Sequence, residues 1–127
     1  MPKTYYLANK FIDAAVRNVA FVPPSAVYLA LYTVAPTLLT AGTECSGGGY
    51  TRQTVFFSAP ANGQSVNLAD VTYPIATLAW GTVVAFGVFD QPTGGNLLYF
   101  NTLAVPRAVN LNDQVKWPAG QLIVTEA

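Results

Sequence analysis

Acid–base chemistry in this chain would have to be built from six carboxylates, Asp13, Glu44, Asp70, Asp90, Asp113 and Glu126. Cleaving a glycosidic bond takes two carboxyl groups held about 5 to 10 Å apart, one to protonate the leaving oxygen and one to attack or to activate water. The six stand singly across helix, loops and strand ends, and no spacing among them argues for such a pair. An enzyme of that kind would need the fold alone to bring two together. Asp90 and Asp113 stand where turns begin, so their expected work is to accept turn N–H groups. The chain has no histidine, which removes Ser-His and Cys-His nucleophiles and the commonest metal ligand. Cys45 is the one thiol. It has no base beside it in sequence and no partner for an intrachain disulfide, so it is expected to be an unreactive thiol. The acids form no calcium-loop pattern. Gly47-Gly48-Gly49 lacks the following Lys-Ser/Thr and the strand-to-helix setting of a phosphate cradle, and reads as a hinge. No catalytic residue, cofactor or metal is expected, and the chain does not read as an enzyme.

The remaining chemistry is that of surfaces. Seven Tyr, seven Phe and two Trp could line a carbohydrate site, because aromatic faces stack on sugars, but a small β domain needs most of them to fill its core. Trp80 and Trp117, each adjoining turn residues, are the two to check for exposure. Charged residues make up only 9% of the chain against about 25% in an ordinary soluble domain, and six cations balance six acids. A free monomer keeps itself soluble with scattered charge and some net charge, so partners are expected to cover much of this surface. The six cations are spread along the chain without a basic stripe, which argues against nucleic acid. No apolar run reaches the roughly 18 residues of a membrane span, and the residues after Met1 do not read as a secretory leader, so synthesis in the cytoplasm is expected.

The elements that must position these residues follow from periodicity. Residues 4–18 read as one amphipathic helix, with Thr4 as its N-cap, an Asp13–Arg17 pair one turn apart, and Pro23-Pro24 forbidding continuation. At about 100° per residue, Tyr5, Ala8, Ala15, Val16 and Val19 fall within about 60° of Ile12, and this stripe is the expected buried face. Leu7 and Phe11 lie off it, either as spill-over or as a contact for a second subunit. Residues 26–34 are apolar on both faces, as in a central strand. Residues 35–49 read as a long flexible loop, and residues 50–57 alternate as a half-wet strand. Asn62-Gly63 marks a turn. Residues 80–90 and 97–103 read as two arms of a hairpin, with Gly87 marking a bulge or a close backbone approach. Short strands are expected near residues 107–111, 114–117 and 121–125. The pattern is mainly β: one domain over residues 1–127, an antiparallel β-sandwich or barrel of about seven or eight strands with one N-terminal helix.

A set of segments carries a resemblance: Leu7-Ala8-Asn9-Lys10 with Arg17-Asn18, the run from Val27 to Thr33, Ser46-Gly47-Gly48-Gly49-Tyr50-Thr51-Arg52, Trp80-Gly81-Thr82 running to Phe86-Gly87-Val88-Phe89-Asp90, Gly94 to Tyr99, and Trp117-Pro118-Ala119-Gly120. Together they resemble a family of small tailed-bacteriophage virion proteins, whose members are labelled tail fibre proteins and which are similar to small β-sandwich proteins that cement capsids. The resemblance implies a virion structural protein and supplies no catalytic residue. A compact domain without shaft repeats or heptads suits a capsid cement or decoration protein, forming a homo-oligomer, expected to be a trimer, on the major capsid protein. The alternatives are a tail or tail-fibre-associated protein, or a carbohydrate-binding module for host attachment. The expected contact residues are Leu7, Phe11, Tyr50, Arg52, Arg107 and Trp117.

Overall fold

The computed structural model describes residues 1–126. One helix, α1 (Tyr5–Val16), precedes β1 (Val27–Val34), β2 (Thr43–Glu44), β3 (Gln53–Val55), β4 (Gln64–Val66), β5 (Val71–Thr72), β6 (Gly81–Phe89), β7 (Leu97–Val109), β8 (Lys116–Trp117) and β9 (Ile123–Thr125). The chain is mainly β and antiparallel, as its turn spacing implies. The main sheet runs β2-β1-β6-β7, and β3 shares the β2 edge of β1. It does not close into a barrel, so the architecture is sandwich-like.

β1 is the central strand its two apolar faces require. Leu29 and Leu31, with Phe86 and Val88 of β6, point into the main core, while Ala30 and Tyr32, with Ala85 and Phe89, form a smaller cluster on the opposite face. Two ribbons, β4–β9 and β5–β8, complete the main core together with the segments beside them, supplying Val71, Tyr73, Val115 and Leu122. Buried polar groups here are bonded. The Tyr73 hydroxyl donates to the Leu29 carbonyl at 2.5 Å. Buried Asn67 donates to the carbonyls of Ala69 and Pro118 and accepts from the Leu122 N–H, tying the start of the β5 segment to the turn before β9.

Three segments differ from expectation. Thr4 caps α1 as its position predicts, but it also fixes the helix's rotation: its N–H donates to the Leu98 carbonyl at 2.9 Å and its hydroxyl donates to the Leu97 carbonyl at 2.7 Å. That tie turns Leu7, only 2% exposed, onto the sheet, and Phe11 packs edge-on against Phe21. The Ile12 stripe, expected inside, faces solvent, with Ile12 55% and Val16 75% exposed. Asn18, at φ 56°, ends the helix in the left-handed conformation common just beyond a C-cap.

Residues 35–49 are not a free loop. Glu44 pairs with Tyr32 and Thr43 with Val34, and the Cys45 N–H donates to the Leu31 carbonyl at 2.9 Å. The Gly48 carbonyl accepts from the Trp80 indole at 2.8 Å and from the Thr77 N–H at 3.0 Å. A Cβ on Gly48 would lie 2.7 Å from the Leu78 carbonyl oxygen, so the glycine allows a close backbone approach where a hinge was expected. Finally, residues 107–109 are not a separate strand. β7 runs through Pro106, and Val84 of β6 stands opposite Leu103–Pro106 in a wide bulge that accommodates a residue without an N–H.

The two faces of α1 therefore differ in what they contribute to stability. Leu7→Ala is expected to cost about 2–5 kcal/mol of unfolding free energy. Ile12→Ala is expected to stay within about 0.5 kcal/mol for the isolated chain, both being read from urea denaturation midpoints.

Candidate functional site

The fold separates the six sequence-predicted contact residues into an inward set and a surface groove. Leu7 is taken up by the chain's own packing, so of its two expected roles it has the packing one and is not open to a second subunit, while Phe11 stays half-buried with its ring edge-on to Phe21. Tyr50 and Arg52 are also turned inward. Arg52 Nη2 lies 2.8 Å from Glu44 Oε1, and its Nε donates to Oε2 at 2.9 Å, a bidentate fork. Its Nη1 donates to the carbonyls of Gln91 at 3.0 Å and Gly94 at 2.7 Å, and the guanidinium stacks 3.6 Å above the Phe89 ring. With only 7% of its side chain exposed, Arg52 is a buried fastener joining β2, β3 and the β6–β7 turn. It is not the partner-facing charge its position in sequence suggested.

Tyr50 belongs to the same cluster. Its hydroxyl donates to Glu44 Oε2 at 2.5 Å and accepts from the Leu31 N–H at 3.1 Å. Its ring stacks on Tyr73 and meets Trp80 edge-on. Burial first, then the bond to Glu44, holds the Tyr50 hydroxyl protonated well above its ordinary range. Cys45 lies beside this cluster, buried, and its thiol is pushed up to about 11 by burial and then by the Glu44 charge. A group so shifted is the opposite of an activated nucleophile.

The other acids are likewise committed. Asp13 pairs with Arg17 at 2.9 Å, Asp70 with Lys116 at 3.1 Å, and Glu126 with Lys3. The Ala119 N–H, followed by Lys116, holds the Asp70 carboxyl below its usual range. Burial would raise Glu126, but its bonds from Lys3 and Tyr99 outweigh that and lower it. Asp90 accepts from the Asn96 N–H at 2.7 Å and Asp113 from the Asn110 N–H at 2.8 Å, the turn roles expected of them. Among the described residues no group of three or more His, Cys, Asp or Glu side chains is placed to hold a metal ion.

Arg107 and Trp117, 10 positions apart in sequence, meet in a groove of about 380 Å³ beside the β7 bulge. Val83 and Val109 contribute its apolar wall, and Lys116 and Gln121 add polar groups. Trp117 is half-buried, its ring tilted against Tyr73 and Phe86. Trp80, the other tryptophan in question, is core. The sequence did not point to Gln121 or Lys116, because only the pairing of β5 with β8 and β4 with β9 brings them to this place.

The fold is an open antiparallel sandwich whose six acids are all engaged, Glu44 in the buried Arg52 fork and the others nearer the surface, and whose apolar α1 stripe faces solvent; the class is a small β-structured protein. The chain matches the protein family described as Podophage GP4 fiber I protein gp80 over residues 2–125, and it belongs to that family. It is accordingly a bacteriophage fibre protein, a component of the virion. No helix among the described residues is long and apolar enough to cross a membrane. No curated protein sequence matches this chain.

Two measurements check the cluster. Arg52→Lys keeps the charge but loses the fork, and Arg52→Ala leaves Glu44 without its partner; the alanine variant is expected to lose about 3 kcal/mol or more in denaturant titration, and lysine to recover only part of that. For Cys45, a raised folded pKa means that the stabilising contribution is complete below the unfolded value and is lost as pH rises from about 9 toward about 11. Cys45→Ser should flatten that part of a stability-against-pH curve, and iodoacetamide at pH 8 should modify the wild-type thiol far faster in urea than in the folded protein.

Proposed function

We propose that this chain is a non-catalytic structural subunit of the phage fibre assembly, associating with copies of itself, three being the expected number, through the outward face of α1. The carrying observation is the exposed stripe of Tyr5, Ile12 and Val16, aligned on one side of a helix whose other side is anchored by Leu7, with exposed Val19 just beyond the helix end. An aligned apolar stripe is what an obligate interface covers, and a chain with 9% charged residues has little else to keep that surface in water.

Fibre placement is preferred to the capsid-cement role because the family is described by a fibre. The absence of shaft repeats and heptads is what supports the cement reading, in which the partner would be the major capsid protein. Within the fibre reading, the same feature makes this chain a compact adaptor or accessory subunit. The commitment of all six carboxylates to ion pairs and turn bonds supports the non-catalytic part of the proposal.

Light scattering on the purified full chain should show an oligomer, and Ile12→Asp with Val16→Asp should release folded monomers, as judged by unchanged circular dichroism. Cryo-electron microscopy of particles should place its density on the tail. Density over the capsid lattice would favour cementing, and a wild-type monomer absent from particles would overturn the structural reading.

A further inference from the structure

We propose that the groove beside the β7 bulge is a binding subsite for an acidic sugar, a pyranose bearing a carboxylate. The inference is independent of assembly through α1, because no residue of the helix lines the groove. Its volume of about 380 Å³ lies at the small end of the range for small-molecule sites.

The case rests on which polar groups the fold leaves uncommitted. Arg17, Arg52, Lys3 and Lys116 are each paired with a carboxylate, and Lys10 lies over the Tyr6 ring. Among the described residues Arg107 has no carboxylate within ion-pair distance and donates no side-chain hydrogen bond. Arg107 is exposed and lines the groove, whose lining includes no acidic residue; Asp113 borders a separate hollow beside Arg107, beyond ion-pair distance. Beside it, the Trp117 indole N–H and the Gln121 amide make no hydrogen bond to the described protein. No buried polar side-chain atom lacks a partner, so the indole N–H is open to solvent.

Each group matches part of the ligand. An aromatic ring flanked by valines offers an apolar platform to the C–H face of a pyranose. The amide and the indole N–H suit ring hydroxyls. The guanidinium fork suits a carboxylate in bidentate geometry. A neutral sugar would leave Arg107 unanswered, and a simple anion would leave the tryptophan unused.

The test uses the full chain and its tryptophan fluorescence, Trp80 being buried and Trp117 the reporter in the groove. The probes are a glucuronate-containing disaccharide, its glucose counterpart, and acetate. The acidic disaccharide should bind saturably and at least about tenfold tighter than the neutral one, the margin shrinking as salt rises. Trp117 also packs on Tyr73 and Phe86, and its replacement can unfold the chain; the variants are therefore Arg107→Gln and Gln121→Ala, both at exposed positions. Arg107→Gln should abolish the preference for the acidic sugar, while Gln121→Ala should weaken both sugars. Equal binding of the two disaccharides, acetate competing as strongly as the acidic disaccharide, or no saturable response to either sugar would overturn the proposal.

Discussion

The Arg52–Glu44 fork is the interaction on which the irregular half of this structure depends. β2 and β3 are two and three residues long and divide one edge of β1 between them, too little ladder to hold their connections in place. The fork joins β2 to the residue that leads into β3, and the same guanidinium reaches the carbonyls of Gln91 and Gly94, so the turn joining β6 to β7 is tied to that edge as well. Withdrawing a guanidinium from water is costly unless its donors are matched. Here two go to the carboxylate through Nε and Nη2, others to backbone carbonyls, and the flat face rests on Phe89.

Once the fork is in place, its neighbours have little freedom. Tyr50 shares the Glu44 carboxylate and reaches the backbone of β1, and its ring meets Tyr73 and Trp80, which carry the contact across to the β5–β8 side of the core. A chain with few charges has thus placed one pair inside, where it specifies how segments distant in sequence come together. The remaining ion pairs lie nearer the surface, where screening leaves each of them a small contribution.

That internal commitment is what gives the outer surface its character. The polar groups left over are few, and Arg107, Trp117 and Gln121 fall in one groove, while the apolar side chains left over form the outer stripe of α1. A fibre protein has reason for both kinds of surface: apolar contact to hold it in an assembly, and a polar, aromatic recess that stays accessible. The two surfaces lie on different elements, so the proposed assembly and the proposed sugar binding need not obstruct each other.

The sequence by itself determined the class of fold, because hydrophobic alternation and turn residues are local. The two-faced β1, the Asn62-Gly63 turn with both residues at positive φ, the Thr4 cap and the turn-bonding Asp90 and Asp113 were all legible. Gly87 was legible only in part: the Tyr99 carbonyl oxygen comes within 3.3 Å of where a Cβ would stand, but the Leu97 and Tyr32 side chains come closer, and the register shift falls after it, at Val88–Phe89. Tertiary structure alone decided which face of α1 is buried. Periodicity locates an apolar stripe, but Thr4's bonds to β7 set the rotation, and they favour Leu7 over Ile12. Tertiary structure also decided that Arg52 is a fastener while Arg107 is open, since an arginine leading into β3 and an arginine in β7 look alike until a carboxylate 8 residues from the first is seen to fold back onto it. The groove follows the same rule: nearly all of its lining falls within residues 103–121, but it exists only where β8 and the approach to β9 close on the β7 bulge, and packing of one element on another leaves no periodic trace in the sequence.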